Sequence, residues 1–83
     1  MKEIKDELYL RRLTLNEALP MLEQYLNDAF MAGLLQVRIV HGKGTGTLRK
    51  MVHSILDKHP DVLQYGQDNI IGGWGATVVD LRE

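Results

Sequence analysis

The fold of this chain is decided by one stretch, Val37-Arg38-Ile39-Val40-His41-Gly42-Lys43-Gly44-Thr45-Gly46-Thr47. It begins with a β-branched apolar run that is typical of a buried strand. Three glycines then alternate with other residues, and a helical pattern starts directly afterwards. A glycine loop at a helix N-terminus brings backbone N–H groups together, and His41 and Lys43 add polar and cationic side chains there. The stretch therefore predicts a strand–loop–helix unit that binds an anion, with phosphate as the obvious candidate.

The length and composition describe one small domain. The chain has 83 residues, a net charge of −1 and no cysteine, which excludes disulfides and thiolate metal sites. Any anion binding must therefore come from a local patch of positive charge. No apolar run approaches the ~20 residues of a membrane span, and the charged residues 1–7 lack a signal-peptide core. We expect a cytoplasmic location and no membrane partner, with residues 1–6 as a flexible lead-in or linker remnant and residues 7–83 as the domain.

The hydrophobic pattern predicts the element order β-α-β-α-β-β. A capping box of Thr14 and Glu17 starts the first helix, and Gly33 is placed to end it. Pro20 predicts a bend or an irregular start in that helix. The predicted strands are residues 7–11, 37–40, 62–65 and 76–81, and the second helix runs from within residues 45–48 to His59, before Pro60.

This order also predicts where the polar side chains meet. A first βαβ unit should be parallel and right-handed, so its two strands end at the same edge of the sheet, where open α/β sheets hold ligands. Arg11 and Arg12 follow the first strand, and the loop of residues 41–46 follows the second. We therefore expect Arg11, His41, Lys43 and the loop N–H groups to share one neighbourhood.

The glycine loop does not fit two common phosphate motifs. The P-loop needs Ser or Thr after Gly-Lys, whereas Gly44 follows Lys43 here, and the third glycine of the dinucleotide fingerprint is replaced by Thr47. A simpler alternative is that the glycines only permit a tight turn. One glycine would serve that purpose, so three of them favour the anion site.

The chain resembles the Smr (small MutS-related) domain family. Residues 41–46, HGKGTG, match the family's HGxGxG motif, and residues 8–11, LYLR, lie at its LDxH or LDxR motif. Residues 72–77 correspond to its glycine-rich turn before the last strand. The resemblance implies a small two-layer α/β sandwich with a four-stranded mixed sheet, similar to the C-terminal domain of bacterial translation initiation factor three.

The family resemblance also implies a function on nucleic acid. It predicts a nicking endonuclease that acts on the DNA phosphodiester backbone in repair or recombination control, with RNA as another substrate, alone or within a larger MutS-type chain. The catalytic residues would be His41, Arg11 and Lys43, and a divalent ion, Mg²⁺ or Mn²⁺, is compatible with this chemistry. The alternative is a non-cleaving module that binds DNA, RNA or a ribosome, and a protein-interaction module is a third, weaker reading.

Two departures from the family motif bear on these alternatives. Tyr9 stands where the family has Asp, and Arg12 stands where the family commonly has Gly. A tyrosine, with a reference pKa of roughly 10, cannot replace a carboxylate as a metal ligand or a base near neutral pH. The Tyr9 departure therefore favours the non-cleaving module.

Further candidate residues surround the loop. Charges in the first turns of a helix are usually solvated, and an exposed aromatic can equally cover the core, so each of these residues has a structural alternative. His53 and His59 are predicted on the helix surface, and no structural zinc site is expected. The predicted phosphate-binding or nucleic-acid-binding residues are Gly42, Gly44, Thr45, Gly46, Arg12, Arg49, Lys50 and Trp74.

Overall fold

A computed structural model describes residues 4–44, 46–68 and 75–83. The predicted order β-α-β-α-β-β is confirmed. The elements are β1 (Glu7–Tyr9), α1 (Leu15–Met31), β2 (Gln36–Val40), α2 (Thr47–Lys58), β3 (Val62–Gln67) and β4 (Ala76–Leu81).

The four strands form one mixed sheet in the order β1-β2-β4-β3. As predicted, β1 and β2 are parallel, with Tyr9 opposite Val40. The strand pairs β2–β4 and β3–β4 are antiparallel. The predicted mixed sheet is therefore confirmed, and the carboxyl ends of β1 and β2 lie at one edge.

Both helices pack on one face of the sheet. Side chains alternate along a strand, and the inward positions Leu10, Ile39 and Val79 are fully buried. They form one core with the buried stripes of α1 and α2, which include Leu22 and Val52. The opposite sheet face carries polar groups such as Gln36, Gln64 and Asp80, which bond to one another.

The first strand is shorter than predicted, because the chain turns at the two arginines. Leu10 N–H still reaches the Val40 carbonyl at 2.8 Å, but Leu13 N–H then bonds to the Leu10 carbonyl at 3.2 Å. This turn holds Arg12 at φ 70°, a left-handed conformation that favours glycine. Strand β3 is longer than predicted, because Gly66 and Gln67 continue its pairing with β4.

Helix α1 begins and ends as its sequence predicts. The Thr14 side chain accepts from Glu17 N–H, and Glu17 in turn accepts from Thr14 N–H, which confirms the capping box. At the other end, Gly33 adopts φ 81°, and the N–H groups of Gly33 and Leu34 close the last turn on Phe30 and Ala29. The helix continues through Pro20 from a capped start. Of the two effects expected of that residue, the irregular start was wrong, and the bend stays a prediction.

The residues before β1 also contact the domain where the structure describes them. Asp6 accepts a hydrogen bond from Arg38 N–H at 2.8 Å, Lys5 accepts one from the Tyr25 hydroxyl, and Ile4 packs against the core. No helix in the described residues is long and apolar enough to cross a membrane.

Candidate functional site

A groove of about 830 Å³ lies at the edge where β1 and β2 end and both helices begin. It is lined by the turn after β1, the glycine loop and the first turn of α2. Its lining includes five cationic side chains, and none of its described residues is a carboxylate. These five are Arg11, Arg12, Arg38, Lys43 and Arg49. Since the whole chain has a net charge of −1, positive charge is concentrated in this groove.

The loop between β2 and α2 needs its glycines. Gly42, Gly44 and Gly46 all have positive φ angles, of 81°, 33° and 84°, which other residues adopt only with strain. A side chain on Gly42 would also meet the Arg11 Cγ at 3.4 Å. The loop therefore lies directly against Arg11, as the topology predicts.

Part of the loop backbone is committed to the fold. The N–H groups of His41 and Gly42 both donate to the Gly75 carbonyl, at 3.1 and 2.9 Å. Gly75 in turn lies beside the Lys43 stem, because a Cβ there would meet the Lys43 Cγ at 3.4 Å. The Gly42 N–H group thus anchors the loop, and the Lys43 stem is placed against Gly75.

The N-terminus of α2 lacks the features that usually neutralise a helix start. Gly46 is its N-cap residue and has no side chain to cap the helix. The first turn has no acidic residue and contains Arg49. Since the positive end of the helix dipole favours anions, this end is electrostatically suited to hold one.

His41 lies beneath the loop and is only 3% exposed. Its Nδ1 lies 2.9 Å from the Gly42 carbonyl, and its Nε2 lies 2.9 Å from the Thr77 hydroxyl. A carbonyl oxygen only accepts, so Nδ1 carries the hydrogen and the neutral ring accepts at Nε2 from Thr77. Both ring nitrogens are therefore engaged within the protein.

The same hydroxyl connects His41 to a second histidine. His53 Nε2 lies 2.9 Å from Thr77 Oγ1, and since Thr77 donates its hydrogen to His41, His53 must donate to Thr77. The His53 ring packs at 4.8 Å, centroid to centroid, on Tyr65, whose hydroxyl donates to Asp57 at 2.6 Å. The prediction that His53 lies on the helix surface was therefore wrong, because α2 turns it onto the inward face of β4.

Both histidines are held in the neutral form. Burial lowers the pKa of His41, the Gly42 carbonyl partly opposes this, and the charge of Arg49 lowers it further. Burial also lowers the pKa of His53, followed by the charges of Arg49 and His41, with a smaller opposing effect from Asp57. The buried His41 and the half-buried His53 thus favour a neutral network beneath a cationic groove.

Tyr9 forms the rim of the groove on β1. Its side chain is 58% exposed, and its hydroxyl donates to Glu7 at 2.8 Å. Glu7 also binds Arg38 at 2.7 Å, and Arg38 bonds through Nε to Asp68 at 2.5 Å. Arg38 therefore lies in the groove wall with its charge already paired to carboxylates.

The structure brings together most of the predicted site residues. Lys50 is exposed on α2 and is not part of the groove lining. Thr45 and Trp74 lie outside the described residues, as do Gly72 and Gly73 of the predicted turn. The residues that line the groove as predicted are Arg11, Arg12, His41, Gly42, Lys43, Gly44, Gly46 and Arg49.

Sequence reasoning missed Thr77. It occupies an inward position of β4 and is 1% exposed among apolar neighbours. A lone hydroxyl residue at an inward position of an apolar strand requires a buried partner. That signal was present in residues 76–81 and indicates a bonded network.

The described groove residues do not suit a divalent cation. Mg²⁺ and Mn²⁺ prefer carboxylate and other oxygen ligands, whereas this lining is cationic. Glu7, on the same strand as Tyr9, is paired with Arg38. Within the described residues no three acidic or histidine side chains are grouped to hold a metal.

Taken together, these elements define a small two-layer α/β domain with a cationic groove. The Smr domain family model matches residues 8–82. The chain therefore belongs to the Smr domain family.

Comparison with individual proteins agrees with this family. The chain is 52% identical over 63 residues to the endonuclease MutS2 of Halothermothrix orenii, covering 74% of this chain and 8% of the relative. It is 40% identical over 87 residues to the endonuclease MutS2 of Clostridium tetani, covering 99% of this chain and 11% of the relative. The chain thus spans about a tenth of the length of these relatives.

Two solved structures share the fold. The Smr domain of Thermus thermophilus MutS2 superposes with a TM-score of 0.90 at 40% identity, covering 95% of this chain and 100% of that one. YdaL, a stand-alone small MutS-related protein from Escherichia coli, gives 0.81 at 32% identity, covering 94% and 65%. The small α/β sandwich predicted from the sequence is therefore confirmed.

Proposed function

We propose that this domain binds the phosphodiester backbone of nucleic acid in its groove. The observation that carries the proposal is the charge of the lining, which combines four cations besides the paired Arg38 with no described carboxylate, in a chain of net charge −1. A phosphate chain is the abundant cellular polymer that such a groove fits. The MutS2 names of the relatives support nucleic acid as the ligand, with DNA favoured and RNA as the other candidate.

Lys43 and Arg11 are the residues best placed to contact phosphate. Both residues are exposed, and the Arg11 stem lies against Gly42 of the loop. Arg38, in contrast, is paired with Glu7 and Asp68. The helix N-terminus beside them adds its dipole to the same site. Phosphate contacts position a nucleic-acid strand without contacting its bases, so we expect little sequence specificity.

Salt-dependent binding tests this proposal directly. Binding of a labelled oligonucleotide by fluorescence anisotropy, over a series of salt concentrations, should show affinity that falls steeply with salt. Lys43→Ala should reduce the slope by about one unit. Lys58→Ala removes the same charge from the far end of α2 and should leave the slope unchanged. Equal slopes for the native protein and Lys43→Ala would show that Lys43 does not touch phosphate.

A nicking activity is the second candidate, because the relatives are named endonucleases. Lys43 and Arg11 would stabilise charge developing on the phosphate. His41 would act as acid or base only after releasing Gly42 or Thr77, since both its ring nitrogens are bonded. At the rim of the groove, Tyr9 stands where the family motif has a carboxylate, and its hydroxyl donates to Glu7. This geometry supports binding more directly than cleavage.

A plasmid assay separates the two functions. Native protein, His41→Ala and Tyr9→Asp are incubated with supercoiled plasmid and with branched DNA, with and without Mg²⁺ or Mn²⁺. Nicking by native protein that His41→Ala loses, while still folded and binding, would place catalysis at the loop. Nicking gained only by Tyr9→Asp would identify a binding module that has lost its carboxylate.

Whole-protein roles extend the same proposal. By its relatives, the domain is proposed to act within a longer MutS-type chain in repair or recombination control, in the cytoplasm. The chain covers 8–11% of those relatives, so these roles depend on segments beyond the groove described here.

A further inference from the structure

Tyr9 presents an ordered aromatic ring at the rim of the cationic groove. The side chain is 58% exposed, yet its hydroxyl is tied to Glu7 at 2.8 Å. Glu7 is bound in turn by Arg38, and Arg38 by the buried Asp68. This chain of bonds restrains the ring before any ligand arrives, which lowers the entropy cost of a contact made by its face.

The ring lies next to the predicted phosphate site. Tyr9 pairs with Val40, and the loop of His41, Gly42 and Lys43 follows Val40 directly. Neighbouring strands are about 4.8 Å apart, so the ring and the loop belong to adjacent parts of one surface. A nucleotide whose phosphate contacts Lys43 would have its base within reach of this rim.

The hydroxyl of Tyr9 does not suit acid–base chemistry. The hydrogen bond to Glu7 is the main cause that raises its pKa above the ordinary value, and the Glu7 charge adds to it. The group is therefore neutral at physiological pH, and its hydrogen is already donated. The ring face is the part of this side chain that a ligand can use.

Negative charge on the sheet face disfavours contact of a nucleic-acid strand beyond Tyr9. The sheet face next to the ring carries Glu7, Asp68 and Asp80, with Arg38 between the first two. With three carboxylates and one guanidinium, this face is less favourable for a phosphate backbone than the groove is. We therefore expect a bound nucleic-acid strand to follow the groove and to end its contact near Tyr9.

We infer that Tyr9 stacks on an unpaired base next to the phosphate held by the loop, so the groove prefers single-stranded or locally unpaired nucleic acid to an intact duplex. The inference rests on the proposed function and adds the ligand's class. Bases within a duplex have both faces covered by their neighbours, whereas an unpaired base offers a face to an aromatic side chain.

The test compares Tyr9→Leu and Tyr9→Phe with the native protein on three probes of one sequence. The probes are a single strand, its blunt duplex and a duplex with one bulged 2-aminopurine. Native protein should bind the single strand and the bulge more tightly than the duplex, and should quench the 2-aminopurine on binding. Tyr9→Leu should weaken single-strand binding by roughly 5-fold to 100-fold and abolish the quenching. Tyr9→Phe keeps the ring and should retain most of both.

Other outcomes distinguish this inference from the proposed function. If Tyr9→Leu binds all three probes as the native protein does, while Lys43→Ala still lowers the salt slope, phosphate binding stands and stacking is refuted. If Tyr9→Leu weakens all probes equally, the preference for unpaired bases is refuted. If the native protein binds none of the probes, the proposed function itself fails. Urea unfolding of each variant checks that the fold is kept.

Discussion

The two helices of this domain begin at the same groove and begin in opposite ways. Helix α1 starts with Thr14, whose side chain accepts from Glu17 N–H at 3.2 Å while Glu17 accepts from Thr14 N–H at 2.9 Å. Helix α2 starts at Gly46, with no capping side chain among the described residues. The first start is capped by its own side chains, whereas the N-cap residue of the second has no side chain that could cap it.

The charges follow the same division. The first turn of α1 contains Glu17, which complements the helix dipole, whereas that of α2 contains no acidic residue and includes Arg49, with Lys50 next. Cations at a helix N-terminus are unfavourable by a few tenths of a kcal/mol or more. The start of α1 thus favours stability, and under the proposed function α2 gives up part of its own stability to attract an anion.

The open end needs support from elsewhere. The loop before α2 is held from below, where His41 bonds to Thr77 and the Gly75 carbonyl accepts two N–H groups. The neutral pair of His41 and His53 shares the Thr77 hydroxyl. The hydrogen bonds of His41 and of the Gly75 carbonyl thus position the loop from below, at a helix start whose N-cap residue has no side chain.

The largest expected effect is loss of this support. Thr77→Val keeps the side-chain shape but leaves His41 Nε2 and His53 Nε2 without their partner, so stability should fall by about 2–3 kcal/mol. Thr77→Ser, which keeps a hydroxyl, should lose much less. Thr14→Ala, which opens the closed end, should cost about 1 kcal/mol. Urea unfolding measures all three, and a smaller loss for Thr77→Val than for Thr14→Ala would contradict the proposed support.

The next effect comes from closing the open end. Thr47→Glu gives α2 an acidic first turn like that of α1, so helix stability should rise by about 0.5 kcal/mol. Affinity for a single-stranded oligonucleotide should fall about tenfold, because a carboxylate then faces the phosphate. Thr47→Gln has the same size without the charge and should keep most of the affinity. Unchanged binding by Thr47→Glu would place the ligand away from this helix end.

As the pH falls, the stability supplied by His41 and His53 below the start of α2 should be lost before that supplied by Glu17 at the start of α1. The pKa values of His41 and His53 are lowered from 6.5 by burial, so the unfolded chain takes up protons first as the pH falls. Stability is therefore complete above pH 6.5 and decreases below it. The lowered carboxyl pKa of Glu17, from 4.5, adds its own loss only near and below that value. Urea unfolding across this pH range should show two successive losses, and a flat profile near pH 6 would refute the first.

The smallest expected effect is at Arg12, where two substitutions distinguish the backbone strain from the side-chain charge. Its left-handed φ of 70° costs about 1 kcal/mol for a residue with a side chain. Glycine avoids this strain, but its greater conformational freedom in the unfolded chain offsets part of the gain in stability. Arg12→Gly should therefore stabilise the domain by about 0.5 kcal/mol while weakening oligonucleotide binding. Arg12→Ala keeps the strain and loses the charge, so it should weaken binding without stabilising. Equal affinity in all three would show that Arg12 does not contact the ligand.

Local patterns were sufficient for much of this molecule. The capping box at Thr14, the glycine at position 33 and the stop before Pro60 act within a few residues, and the structure has helix ends at these places. Strand β4 has the predicted bounds, Ala76–Leu81, since its apolar run has no competing pattern. Parallel pairing of β1 and β2 follows from the connecting helix, and that pairing brings Arg11 to the glycine loop.

The element order, the glycine loop and the group of cations at one sheet edge could all be predicted from the chain alone, because helix signals, strand patterns and topology are local or nearly so. Only the tertiary structure decided which of those groups remain available to a ligand. It buried His41 and joined it through the Thr77 hydroxyl to His53. Thr77 lies 36 positions from His41 and 24 positions from His53 in the sequence. It also paired Arg38 with Asp68, 30 residues away. Hydrogen bonds between distant residues depend on the packing of α2 against the sheet, and no spacing along the chain specifies that geometry.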